Sequence, residues 1–185
     1  PTGVVVADLD DAGPTPPVII AAGSFRRGGR NLDVRGIGEF VAGEWRPGST
    51  DTPAFWSQAR VIASGLWDAD GAGPLLPQLV VTSSSFFGAP EVTRRVGTQL
   101  QFLASLNANE FLAWDSDGTG PEPTDLFMSV DAASLTGEVW RYRTSAQRLG
   151  GVFDKYVSAL TTWDPDAEGP QPERLFVGGA FTTNS

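Results

Sequence analysis

One short acidic motif occurs four times in the chain, and the spacing of its copies limits the folds that are open to it. The copies read ADLDDAG, WDADGAG, WDSDGTG and WDPDAEG, at residues 7–13, 67–73, 114–120 and 163–169. Each copy is followed by proline, and the successive Gly-Pro pairs lie 60, 47 and 49 residues apart. A period near 50 residues is typical of β-propeller blades and is longer than most helical solenoid repeats.

Each motif lies between two apolar runs, which predicts a β-hairpin. In VSALTTWD, alternation puts Val157, Ala159, Thr161 and Trp163 on one face of the first strand. The prolines around the motif suit a loop and would interrupt a central strand. The second apolar runs occupy residues 17–25, 77–86, 124–135 and 173–181.

The rest of each repeat predicts a second, less regular hairpin. Residues 34–45 read as a strand, a tight turn at Ala42-Gly43 and another strand, whereas residues 92–103 keep little beyond alternation. An amphipathic helix over 99–112 is the alternative, which Asn107 and Asn109 disfavour. Four strands per repeat predict an all-β protein of the β-propeller kind.

We therefore expect a single propeller-like domain over residues 1–185, with repeats at about 3–59, 60–108, 109–155 and 156–185. Only the first hairpin of the fourth repeat is present. The last blade is thus expected to be incomplete or closed by the N-terminal strands, because a repeat array has to cap or close its ends. Pairing with another chain and further repeats are the other ways to cover the ends.

The sequence of residues 149–185, LGGVFDKYVSALTTWDPDAEGPQPERLFVGGAFTTNS, resembles the kelch- or WD-like propeller repeats of planctomycetes and related bacteria. Those repeats run roughly WDPDGDGP, then LxVGGxFT, then a WDG-SW segment, which GIGEFVAGEWRPG (36–48) resembles. The likeness is weakest over 85–105. It implies a β-propeller of an exported or surface protein, and it supplies no catalytic residues.

Composition excludes several kinds of function. The chain has no cysteine and no histidine, so thiolate catalysis, disulfides and histidine general bases are absent. A net charge of −9 with one basic run, FRRGGR (25–30), argues against nucleic-acid binding. No run is apolar enough for a transmembrane segment. Because the sequence begins with Pro1, we expect a processed form or a segment excised from a longer protein. The resemblance implies an extracytoplasmic protein, in the periplasm, on the cell surface or secreted.

The paired aspartates of the motif are candidate calcium ligands. Calcium loops take oxygen ligands at positions 1, 3, 5, 9 and 12, and here mainly positions 1 and 3 are filled. The alternative is a turn in which aspartate oxygens accept backbone hydrogen bonds. No other cofactor is expected. The calcium candidates are Asp68, Asp70, Asp115, Asp117, Asp164, Asp166 and Glu168.

The recurrent tryptophans, Trp67, Trp114 and Trp163, are expected to pack between neighbouring blades, with a carbohydrate-stacking platform as the alternative. Residues in the irregular stretches are more plausible contacts for a protein partner, because a surface adapted to a partner loses its repeat pattern. The partner-contact candidates are Arg94, Arg95, Trp140 and Tyr142.

Together these features predict a non-catalytic propeller that acts as a protein-interaction or structural scaffold subunit. The alternative is a cell-envelope propeller that binds or cleaves carbohydrate. Glycoside hydrolysis needs only two carboxylates, but the glutamates follow no pattern that selects a pair.

Overall fold

The structure is a computed structural model of the 185-residue chain. The structure describes residues 3–8, 16–25, 36–48, 60–70, 76–84, 88–97, 99–116, 123–132, 135–166 and 171–184.

These segments are all-β, as the sequence predicts, and contain 14 strands and no helix. None of them can therefore supply a membrane-spanning helix. The strands of the first hairpins are β1 (Gly3–Ala7), β2 (Val18–Ala22), β5 (Arg60–Trp67), β6 (Gln78–Ser84), β9 (Ala108–Trp114), β10 (Asp125–Asp131), β13 (Val157–Trp163) and β14 (Arg174–Gly179). Those of the second hairpins are β3 (Ile37–Val41), β4 (Glu44–Pro47), β7 (Glu91–Val96), β8 (Gln99–Ala104), β11 (Gly137–Tyr142) and β12 (Ala146–Phe153).

Consecutive strands pair in order, giving three four-stranded sheets and a two-stranded one. The first sheet is β1–β4, the second is β5–β8 and the third is β9–β12, while β13 and β14 form the last pair. The pairings for which the register is resolved are antiparallel. Among the described residues, the strands of the fourth repeat form a two-stranded sheet. The helix considered for 99–112 is wrong, because residues 99–104 lie in β8 and residues 108–112 lie in β9.

The turn predicted at Ala42-Gly43 joins β3 to β4. Both residues have a positive φ, 51° and 86°, which is the backbone of a type I′ hairpin turn. A Cβ added at Gly43 would meet nothing within 4 Å, so a side chain would fit there. Glycine is favoured at this position because its backbone adopts a positive φ easily. The turn fixes the pairing of Val41 with Glu44 and of Phe40 with Trp45.

The chain divides into two compact units, and the first contains residues 1–66 and 76–107. Its core lies between the first and second sheets. Val61, Leu79 and Val81 of the second sheet pack there against five residues of the first. Those five are Ala7, Val18, Ile20, Ala22 and Ile37.

The second unit contains residues 67–75 and 108–185. Its core lies between the third sheet and the last pair, where Val157 and Leu160 pack against Phe127 and Val139. Trp114, Leu175 and Val177 border this cluster. Each unit is therefore built in the same way, from successive sheets packed face to face.

The last pair differs from the sequence prediction in one detail. A register irregularity between Val157 and Ala159 separates Val157 from the residues with which it was expected to share a face. Val157 is 1% exposed and packs in the core beside Leu160, whereas Trp163 is 55% exposed. Alternation alone does not detect a bulge, so the prediction of one face from Val157 to Trp163 is wrong.

Candidate functional site

The acidic motifs form side-chain-capped turns where the structure describes them. Asp164 Oδ1 accepts a hydrogen bond from the backbone N–H of Asp166 at 3.1 Å, and Asp68 Oδ1 accepts one from Asp70 at 3.4 Å. Asp166 Oδ2 also accepts the N–H of Gln171, which ties the far side of the loop to the turn. These are the bonds expected of Asx-turns.

The calcium hypothesis is not decided by these turns. Asp115 follows Trp114 directly at the end of β9, while Asp117 and Glu168 lie outside the described residues. Within the segments that the structure does describe, no group of three or more acidic side chains is arranged to hold a metal ion.

Arg95, one of the partner-contact candidates, is used inside the first unit. Its guanidinium forms an ion pair with Glu39 of β3 and donates to the carbonyl oxygen of Gly48 at 2.9 Å. Its Nε donates to the carbonyl of Gly97 in the turn after β7, also at 2.9 Å. Only 12% of the side chain is exposed. Arg95 therefore joins the second sheet to the first.

The other three partner-contact candidates also have neighbours in their own unit. Arg94 Nε donates to Gln101 Oε1 of the adjacent strand at 3.3 Å. Trp140 Nε1 donates to Glu138 Oε2 at 2.7 Å, and the Tyr142 ring meets the Trp67 ring edge-on at 5.7 Å. The structure thus does not bring the four candidates together into one patch on either unit.

Two of the three recurrent tryptophans, Trp67 and Trp114, are packed inside the second unit. Trp67 is 2% exposed, and its Nε1 donates to the carbonyl oxygen of Thr124 at 2.9 Å. Trp114 is half-buried and lies 5.2 Å from the buried ring of Phe127, one strand away. Both side chains belong to the second unit.

Trp163 departs from this pattern. It lies opposite Arg174 on the neighbouring strand, and its ring meets that of Phe176 at 5.5 Å. Trp163 and Phe176 are 55% and 44% exposed. They belong to the outer face of the last pair, which we call the end face. The end face consists of Ala159, Thr161, Trp163, Arg174, Phe176 and Gly178.

The Trp163–Phe176 pair repeats the Trp114–Phe127 pair of the third sheet. Trp114 is paired with Asp125 just as Trp163 is paired with Arg174, and the phenylalanine follows two residues later in both. In the third sheet, β13 and β14 cover the rings of Trp114 and Phe127. On the end face no such cover is present among the described residues, which is why Trp163 is exposed.

Sequence reasoning missed the end face as a unit. It named Trp163 but not Phe176 or Arg174. The signal was available, because the motif copies align Phe127 with Phe176. Exposed aromatic side chains beside an arginine are the composition that recurs at the centre of protein–protein interfaces.

Two charged clusters in the second unit are structural. Asp125, fully buried, accepts two hydrogen bonds from Arg143, at 2.6 and 2.9 Å. Asp154 accepts three hydrogen bonds from Thr182 and Thr183, which hold residues 182–184 beside the end of β12. These bonds, led by that of the Thr182 hydroxyl, lower the pKa of Asp154 to about 2.

Comparison with known proteins gives no match: no family model, no curated protein and no solved structure is similar to the chain.

Proposed function

We propose that the chain is a non-catalytic β-propeller-type repeat module that acts as a protein-interaction or scaffold subunit, and that its end face is the contact surface. The observation that carries this proposal is the exposure of Trp163 and Phe176 in a position that is covered in the preceding sheet. Contiguous exposed apolar surface in a folded chain is typical of a binding site.

The open strand edge beside the end face supports the same function. In the three four-stranded sheets, the second strand is flanked on both sides, whereas among the described strands β14 is adjacent only to β13. The exposed backbone groups of such an edge can pair with a strand from another chain. A partner can thus both cover the aromatic pair and extend the sheet.

The propeller architecture belongs to this proposal. It is supported by the sequential four-stranded sheets and by the same face-to-face packing within each unit. An extracytoplasmic location is proposed from the family resemblance alone.

Carbohydrate binding is the second candidate function, and the exposed indole of Trp163 is the observation that favours it. Aromatic rings with an accessible surface can stack on sugars as well as on protein side chains. The two candidate functions differ in the molecule that covers the Trp163 ring, which is a protein in the first and a sugar in the second.

Site-specific photo-crosslinking tests the proposed function. A photoreactive phenylalanine analogue would replace Phe176, or as a control Phe102, which is 59% exposed on the second sheet. We expect position 176 to give a defined protein adduct in the producing cells, and the purified partner to bind wild type but not Trp163→Ser. If Phe176 gives no protein adduct, and a glycan panel binds wild type but not Trp163→Ser, the carbohydrate alternative is correct.

A further inference from the structure

The sheet-to-sheet contacts inside the two units follow one rule. In the second unit, Leu160, Leu175 and Val177 of the last pair lie over Trp114 and Phe127 of the third sheet. In the first unit, Leu79 and Val81 of the second sheet lie over Ala7 and Ile20 of the first.

The residues in these contacts are equivalent by position. Ala7, like Trp114, is the last residue of its strand and directly precedes the first aspartate of the motif. Leu79 lies two residues after Pro77, and Leu175 lies three residues after Pro172. Each leucine begins the apolar run of the second strand of its hairpin. Within each unit, the later sheet thus offers an aliphatic face to the earlier one, which receives it on the face that carries Ala7 and Ile20 or Trp114 and Phe127.

The first sheet has an aliphatic face of this kind that is exposed. Strand register makes the match explicit, since Val4 pairs with Ala21 as Leu160 pairs with Val177, and Val6 pairs with Ile19 as Thr162 pairs with Leu175. Val4 is 59%, Val6 64% and Ile19 39% exposed. We call Val4, Val6 and Ile19 the first-sheet face.

The chain therefore carries both halves of the contact that it uses internally. The end face has the exposed aromatic pair. On the first-sheet face, Val4 stands where Leu160 stands in the last pair of strands and Ile19 stands where Leu175 stands. Burial of such apolar surface drives association.

We propose that the end face binds the first-sheet face of a second copy of this chain, head to tail. The inference rests on the proposed function, since it names the partner of the same end face. In this contact, the first sheet of one copy packs on the end face of another copy in the way that β13 and β14 pack on the third sheet within one chain. It is heterologous, so two identical faces do not meet, and successive copies either close a ring or extend as a fibre.

Engineered cysteines test this arrangement cleanly, because the chain has none of its own. Phe176→Cys and Val4→Cys would be made as separate variants, mixed and oxidised, and dimers would be resolved without reductant. Phe102→Cys, at a comparably exposed position of the second sheet, replaces either partner in the control mixtures. A disulfide requires Cβ atoms about 4 Å apart, so it reports direct contact.

We expect the mixture of Phe176→Cys with Val4→Cys to give at least about tenfold more disulfide dimer than either variant alone or either mixture with Phe102→Cys, given the specificity of apolar contacts. Equal dimer in all mixtures, or dimer mainly from Phe176→Cys alone, would overturn the head-to-tail contact. So would a double variant, Val4→Cys with Phe176→Cys, that forms its disulfide within one chain.

Failure of this inference can be told from failure of the proposed function. If the cysteine pair does not react but the photoreactive group at position 176 still captures a different, reconstitutable protein, then the end face is an interaction surface and the second copy is the wrong partner. If neither occurs, both are wrong.

Discussion

Trp114 and Trp163 occupy the same place in consecutive repeats, yet the first is half-buried and the second is 55% exposed. Each contacts a phenylalanine of the adjacent strand, at 5.2 and 5.5 Å between ring centroids. The difference lies in what covers the ring pair, since the last pair of strands packs over Trp114 and Phe127. The local sequence that builds a packed core in one repeat thus builds an exposed surface in the next.

The first prediction compares two tryptophans of equivalent position. We expect Trp67→Phe to lower the free energy of unfolding by about 2 kcal/mol, because it removes a buried hydrogen bond to the carbonyl of Thr124 and leaves a small cavity. The matched variant Trp163→Phe should change it by less than about 0.5 kcal/mol, as is usual for exposed sites. Urea unfolding followed by circular dichroism measures both, and equal losses would contradict the assigned burial.

The second prediction concerns the buried carboxylate of Asp125. Arg143→Gln should destabilise the protein by about 2 to 4 kcal/mol, because it leaves a fully buried charge without its bidentate partner. Arg141→Gln is the matched control. Its Nη1 lies 3.8 Å from Asp125 Oδ2, and about 0.5 kcal/mol is expected. Thermal unfolding of the two variants gives the comparison, and a larger loss for Arg141→Gln would show that the pairing is misassigned.

The third prediction is a pH dependence at the C-terminal segment. The folded-state pKa of Asp154, about 2, lies below the ordinary value of 3.8, so its stabilising contribution is complete above 3.8 and is lost as the pH falls through about 2. We expect the amide protons of Thr182 and Thr183 to exchange slowly near neutral pH and to lose protection in this acid range. NMR from about pH 5 down to about pH 1 follows them.

Asp154→Asn supplies the control for this titration. The amide cannot titrate, so protection at Thr182 and Thr183 should be weaker near neutral pH and should not change over the acid range. An acid transition that persists in Asp154→Asn would assign it to another carboxylate.

The fourth prediction separates the turn from the calcium site. Asparagine keeps the carbonyl oxygen that accepts the N–H of Asp166 but lacks the charge that calcium requires. Asp164→Asn should therefore keep the wild-type melting temperature, whereas Asp164→Ala should lose about 1 kcal/mol of stability. Wild type should melt at the same temperature with and without millimolar calcium. A calcium-dependent rise that Asp164→Asn abolishes would favour the metal site.

Much of the architecture follows from the sequence because it depends on local rules. Alternation and turn residues locate the hairpins, and the type I′ turn at Ala42-Gly43 follows from the tolerance of its glycine for a positive φ. The bulge that turns Val157 into the core does not follow, because a register shift depends on the partner strand. The role of Arg95 was equally hidden, since Glu39 and Gly48 are remote from it in the chain.

The end face was only half predictable. Repetition identifies Trp163 as equivalent to Trp114, but burial depends on whether another sheet follows. The sequence assigns the same core role to both residues. Only the absence of a covering strand pair among the described residues distinguishes them.

Sedimentation velocity over a range of protein concentrations tests the central claim, that the end face is a docking surface for a second copy, most directly. We expect the sedimentation coefficient of wild type to rise with concentration. Phe176→Ser should weaken this association by about tenfold or more, while Phe102→Ser, at the more exposed of the two positions, should leave it unchanged. A single monomeric boundary for wild type at every concentration, the same as that of Phe176→Ser, would contradict the claim.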